Sequence, residues 1–262
     1  MEALGLSKAK ICGVKFGTLN IGFILKIKKR FYFLKTHLIA KNLLLLKKEA
    51  LILKAIYGPK ILLKTYTEKK YKTNRFWVLL KYLNKKKLSP QQILSEIKNL
   101  PFKKIGNKLK DSSLLTFFGK RAMCAAKNFY KKKLVSKNSY FRSKDLVGKM
   151  LKDLSMEPVS PCHGDLGPRN IMGTKKRNYF IDWEDAFMGI KGYDYLYWLS
   201  FLENQKHLTK NNLKNANIKI NVAVGILLII ILIKCEISHQ NNSYLNNSLS
   251  FDNRIKKVLR LL

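Results

Sequence analysis

One stretch constrains this chain more than any other: Cys162-His163-Gly164-Asp165-Leu166-Gly167-Pro168-Arg169-Asn170-Ile171. Its glycines and proline make it a loop rather than a helix or strand interior. After a short polar turn comes Tyr179-Phe180-Ile181-Asp182-Trp183-Glu184-Asp185, which reads as a short apolar strand ending in Asp182. Asp165 is a carboxylate able to take a proton from a hydroxyl. Asn170 offers a neutral amide oxygen and Asp182 a charged one, the hard donors that magnesium prefers. Turn or cap duty alone would not call for two acids and an Asn at this spacing around an apolar strand.

The spacing H-x-D-x-x-x-x-N is that of a kinase catalytic loop, with Gly164 where protein kinases often carry Arg. HGDLGPRN followed by IDWED resembles the aminoglycoside phosphotransferase and choline kinase group, which shares the protein-kinase-like fold. In that group the loop reads HGD-hydrophobic-x-x-x-N, and the metal strand reads I-D-W-E or I-D-F-E rather than D-F-G. The resemblance implies an α+β, two-lobed, protein-kinase-like fold with a small β-rich N-terminal lobe and a larger helical C-terminal lobe. It also implies ATP and Mg2+. Asp165 would be the catalytic base, Asn170 and Asp182 the metal ligands and nucleotide-site residues. His163 and Asp194 would brace the loop without transferring protons; the plainer reading of Asp194 is an N-cap on a helix from Tyr195 to Glu203.

The first third reads as strands. Ile11 to Phe16 is apolar, and Gly22 to Lys28 with Arg30 to Thr36 forms a hairpin around Lys28-Lys29. Gly17 and Gly22 have the outer spacing of a phosphate loop, but Leu19 stands where the middle glycine would be, so a plain hairpin turn explains them equally well. Lys35 ends an aromatic run that resembles the third strand of a kinase small lobe, where the ammonium meets nucleotide phosphates. Leu38 to Tyr57 reads as a helix stopped by Gly58-Pro59, and Glu49 is its single acid, in line with Leu45, Ile52 and Ile56. A carboxylate beside an apolar stripe wants a cation, and Lys35 is the expected partner; a solvated i, i+4 contact with a Lys of the same helix is the bland alternative. Ile61 to Tyr66 and Phe76 to Tyr82 read as two further strands, joined by a basic turn from Glu68 to Asn74.

Asn84-Lys85-Lys86-Lys87 is a polar connector, which divides the chain into a nucleotide-binding lobe, 1–83, and a catalytic and acceptor-binding lobe, 84–262. Beyond it the pattern is helical. Ser89-Pro90-Gln91-Gln92 is a capped helix start, Asp111-Ser112-Ser113 opens a helix to about Lys132, and Ser143 to Met156 is a third. Val222 to Ile233 is a long apolar run, read as a buried core element and, less favourably, as a membrane-associated segment, being too short for the ~20 residues of a span. His239 to Ser250 reads as a polar loop, and Ile255, Val258, Leu259 and Leu262 as a final helix.

Lys and Arg number 52 against 16 Asp and Glu, so an anionic partner and simple codon bias both have to be weighed. The lysines are spread over the whole chain, which argues against a dedicated nucleic-acid site. Cys12, Cys124, Cys162 and Cys235 form no C-x-x-C pair, so neither zinc nor a disulfide framework is expected, and reduced thiols in the cytoplasm are the default. The N-terminal residues lack the basic start and apolar run of a signal peptide. The resulting expectation is transfer of the γ-phosphoryl group of ATP to a hydroxyl of a small molecule or glycan. Scarcity of acid argues against a cationic antibiotic as acceptor; a choline-type, sugar or lipopolysaccharide-type acceptor fits at least as well, and the basic surface would suit a phosphorylated glycan or a peripheral membrane contact. A non-catalytic nucleotide-binding scaffold is the rival from another class; a protein kinase is disfavoured by IDWED in place of D-F-G.

Overall fold

The computed structural model describes residues 6–17, 19–70, 73–109, 114–241 and 250–262. The chain packs as two compact units. One comprises Met1–Lys87, Leu100–Lys108 and Arg169–Ala186; the other comprises Leu88–Asn99, Leu109–Pro168 and Phe187–Leu262.

The first unit is built on an antiparallel five-stranded sheet, in spatial order Lys10–Phe16, Asn20–Ile27, Arg30–His37, Thr73–Lys81 and Leu62–Lys70. The central hairpin closes at Lys28-Lys29, where Lys28 takes a left-handed backbone (φ 54°) that short hairpin loops favour. Leu25, Leu34 and Leu79 pack with Leu6 on one face of the sheet. Side chains alternate along a strand, so Lys35, next to Leu34, is directed to the other face. The helix Leu43–Tyr57 follows a 3-10 turn at Ala40–Asn42 and stops at Gly58, whose φ of 53° a side chain would oppose. Its buried residues are Leu46, Glu49, Ala50, Ile52 and Leu53, so Glu49 and Ile52 are buried as expected while Leu45 and Ile56 are half-buried.

Residues 169–186 join this unit for a local reason. Ile171–Gly173 pairs with Asn84–Lys85 on one side and with Asn178–Phe180 on the other. The polar connector is therefore partly strand, and the short turn Trp183–Asp185 packs on Leu43–Tyr57. A five-residue helix, Phe102–Gly106, also packs there.

The second unit is helical. Pro90–Lys98 starts at the expected capping box: Ser89 Oγ accepts from Gln92 N and the Gln92 side chain accepts from Ser89 N. The next helix is described from Leu114 to Lys131, so its expected opening at Asp111-Ser112-Ser113 lies outside the described residues, as does most of the polar segment before Ser250. Lys137–Asp153 begins six residues before Ser143, because Ser136 caps it by accepting from Ser139 N. The apolar run is the interior of a helix, Ile220–Gln240, packed on Leu114–Lys131, Lys137–Asp153, Tyr193–Leu199 and Phe251–Leu259. By length and composition alone it is apolar enough to cross a membrane, yet 67% of that stretch is buried within the chain. Val159–Cys162 and Phe187–Ile190 form a two-stranded antiparallel pair at the start of the HGD loop.

Candidate functional site

In the first unit the structure brings Lys35 and Glu49 together: Lys35 Nζ donates to Glu49 Oε2 at 2.7 Å, and both side chains are buried. Strand pairing fixes the lysine, which stands opposite Gly22 on one side and Val78 on the other. The same ammonium also lies 2.7 Å from Asp182 Oδ1 and 2.7 Å from Glu184 Oε1. Asn20 Nδ2 hydrogen-bonds to Glu184 Oε1, and the Asp182 amide donates to Glu49 Oε1 at 3.0 Å.

Asp182 is not the end of the strand. That strand stops at Phe180, and Asp182 follows in a left-handed conformation, φ 67° and ψ 57°, as the entry to the turn Trp183–Asp185. Asp is among the few residues that tolerate this region, and such backbone concentrates at functional positions. The turn explains why Asp182 and Glu184 both reach Lys35. Asn170 is buried, and its carbonyl accepts from Ile181 N at 3.0 Å, which sets its backbone beside the Asp182 segment.

One ammonium among three carboxylates leaves a negative surplus. Burial disfavours the charge on Lys35, but Glu49, Asp182 and Glu184 outweigh it and raise its pKa, so it stays protonated. Burial pushes the Glu49 carboxyl up to about 8 against the pull of Lys35, with Asp182 and Glu184 adding to the rise. The rise belongs to the most deeply buried carboxylate of the three, whose side chain is 1% exposed. Glu49, Asp182 and Glu184 each present an oxygen within 4.8 Å of the others, a hard, anionic donor set that fits a divalent cation such as Mg2+. Asn20 Oδ1, buried beside them, has no hydrogen-bond partner among the described residues.

The HGD loop belongs to the second unit. Asp194 lies in the first turn of Tyr193–Leu199, whose N-cap is Gly192, so it is not the cap. Its carboxylate instead accepts from His163 N at 2.8 Å and from Gly164 N at 3.2 Å. Burial raises the Asp194 pKa, while His163 and the two amides oppose that rise. Gly164 has φ 86°, which accounts for glycine where a side chain would be strained. His163 is fully buried, and its Nδ1 accepts from Asp165 N at 3.4 Å. Asp165 is half-buried, and its carbonyl accepts from Gly167 N at 2.7 Å.

Two participants were missed from the sequence. Glu184 stands within IDWED but was assigned no role; its acidic character two residues after Asp182 was the available signal. Asn20, at the start of its strand, carried no signal at all.

Residues 125–210, which include both motifs, match the family model described as the phosphotransferase enzyme family. A protein of Mycoplasma capricolum named Protein LicA homolog is 37% identical over 71 residues, 26% of this chain; the match spans about 30% of that relative's length. Among solved structures, a thermostable mutant of an aminoglycoside phosphotransferase in complex with ADP and hygromycin B superposes with a TM-score of 0.61 at 11% identity, over 100% of this chain and 98% of that one. Spectinomycin phosphotransferase in complex with ADP and spectinomycin gives 0.59 at 15% identity, over 97% and 92%. Choline kinase LicA from Streptococcus pneumoniae gives 0.53 at 14% identity, over 99% and 96%. The expected resemblance therefore stands, and the fold is the kinase-like α+β fold of these enzymes.

Proposed function

We propose that this chain is an ATP-dependent phosphotransferase that moves the γ-phosphoryl group to a hydroxyl of a small molecule or glycan. The observation that carries this reading is the buried ammonium of Lys35, held at 2.7 Å by each of Glu49, Asp182 and Glu184. Phosphoryl transfer depends mainly on positioning and charge stabilisation, and this is a preorganised charge cluster. Mg2+, when bound, would neutralise phosphate charge. Asp182 and Asn170 would hold it, with Glu184 as a third oxygen donor. Lys35, oriented by Glu49, would meet the phosphates of ATP.

In the transfer itself, the acceptor oxygen forms the new bond to phosphorus as the bond to the departing ADP breaks. The hydroxyl proton goes to Asp165. Asp194 acts only as a positioning residue, through the His163 and Gly164 amides. In this reading residues 1–83 form the nucleotide lobe and 84–262 the acceptor lobe, with Asn170 and Asp182 serving the nucleotide's metal. The proposed setting is the cytoplasm, where ATP is available.

Asp165→Asn tests the assignment. It keeps shape and removes the charge and most of the basicity. Transfer from ATP should fall by about 10²–10⁴, with affinity for a non-hydrolysable nucleotide unchanged. Equal turnover of wild type and variant would remove Asp165 from the mechanism. Nucleotide binding without transfer to any of a panel of sugars, amino alcohols and glycans would favour the scaffold reading.

A further inference from the structure

Lys234 projects from the long helix Ile220–Gln240 in the second unit and is not used by the mechanism above. Its Nζ donates to Ser200 Oγ at 2.7 Å and sits over two rings, 3.4 Å from the centroid of Phe201 and 4.0 Å from that of Tyr197. Phe201 in turn packs on the catalytic loop: a Cβ on Gly167 would fall 2.5 Å from Phe201 Cζ. Gly167 N is bonded to the carbonyl of Asp165. The ammonium is thus one aromatic ring away from the turn that carries Asp165.

A second cation lies close by. Arg254 is 5% exposed, its Nη1 contacts Cys235 Sγ at 3.7 Å, and its Nε has no hydrogen-bond partner among the described residues. Among the described residues neither Lys234 nor Arg254 has a carboxylate within 4.0 Å. Burial lowers the Lys234 pKa well below its ordinary value; Asp165 opposes this and Arg254 adds to it. Arg254 is buried and Lys234 half-buried, so Asp165 is one carboxylate against two cations held out of water, which is poor architecture for stability alone. The missing anion is what a ligand could bring.

We propose that Lys234 selects the acceptor, and that the acceptor is an alcohol bearing an anionic group, phosphate or carboxylate, which Lys234 binds beside Asp165. This rests on the phosphotransferase reading and narrows its substrate class. Aromatic rings by themselves also suit a cationic ligand. Here the chain's own ammonium already covers them, so an incoming cation meets repulsion instead.

The test is calorimetric binding to the full chain with saturating MgADP, which needs no turnover. Inorganic phosphate, glycerol 3-phosphate, glycerate, glycerol and choline are titrated into wild type, Lys234→Met and Lys234→Arg. Wild type should prefer the anions over glycerol and choline; the ranking of glycerol 3-phosphate against glycerate tells phosphate from carboxylate. Lys234→Met should weaken anion binding by about 10–100-fold, and Lys234→Arg should restore most of it. Anion binding that survives Lys234→Met, no anion preference in wild type, or choline binding as tightly as the anions would each overturn the proposal. Should Lys234→Met not fold, the wild-type ranking decides alone. Failure of MgADP to bind wild type would instead bring down the phosphotransferase reading beneath it.

Discussion

Lys35→Met removes the cation that contacts all three carboxylates of the cluster. Each of its contacts is 2.7 Å long. At an effective dielectric of about 20 such a contact is worth roughly 6 kcal/mol before desolvation. Much of that gain is offset by burying the ions, and removing one partner of a buried pair costs about 3–5 kcal/mol net. Protonation of Glu49, already pushed up to about 8, relieves part of the repulsion and keeps the loss near the lower figure. For a chain of this size each kcal/mol corresponds to about 2–4 °C, so the apparent Tm in EDTA should drop by roughly 6–12 °C. Millimolar MgCl2 should recover more of the Tm in Lys35→Met than in wild type, because a divalent cation neutralises the same oxygens. Differential scanning calorimetry with and without MgCl2 measures both effects. A variant melting within 2 °C of wild type in EDTA (about 1 kcal/mol or less) would refute the electrostatic account.

Asp182→Ala should abolish the Mg2+-dependent part of nucleotide affinity, read by titration with and without the metal. Asp194→Ala should cost roughly 1–3 kcal/mol by leaving buried amides unsatisfied and should lower kcat without changing nucleotide affinity, read by steady-state kinetics beside a binding titration. Asp252 is held at about 2: burial would raise its pKa, but Lys256, Ser139 and Ser136 outweigh this. A depressed carboxylate pKa stabilises the fold above the ordinary Asp range, and the contribution is lost as pH falls through about 2. Asp252→Asn should therefore melt lower at pH 7, by roughly 1–2 kcal/mol after solvent screening, and converge on wild type towards pH 2 in a pH series of melts.

What could be read from the sequence was whatever depends on local pattern. Alternation and turn residues marked the five strands, and the Ser89 capping box marked its helix within a residue. The lone acid of Leu43–Tyr57 pointed to a buried cation because an apolar stripe leaves a carboxylate no other partner. Pairings between distant short segments had no such mark. Asn84–Lys85 carries no apolar alternation, so its pairing with Ile171–Gly173, which draws 169–186 into the first unit, could not be foreseen. The early start of Lys137–Asp153 was hidden for a similar reason: its first turns are polar, and only the Ser136 cap marks them.

The charge of the candidate site is informative against the composition of the whole. With 52 basic residues against 16 acidic ones, a lysine near any given place means little, whereas three carboxylates within 4.8 Å are not a by-product of composition. Glu184 escaped notice because its role depends on the left-handed turn at Asp182, a backbone state that no neighbouring glycine announced. That turn aims two acids two residues apart at one ammonium and brings the Asp182 amide to Glu49. The reverse holds in the second unit. There the unusual feature is not that a lysine is present but that Lys234 is held by a hydroxyl and two rings, with no carboxylate within 4.0 Å among the described residues. Negative charge is in surplus around Lys35 in the first unit, and positive charge is in surplus around Lys234 and Arg254 in the second. A magnesium ion would answer the first and an anionic acceptor the second, so the two proposals stand on separate residues and can fail separately.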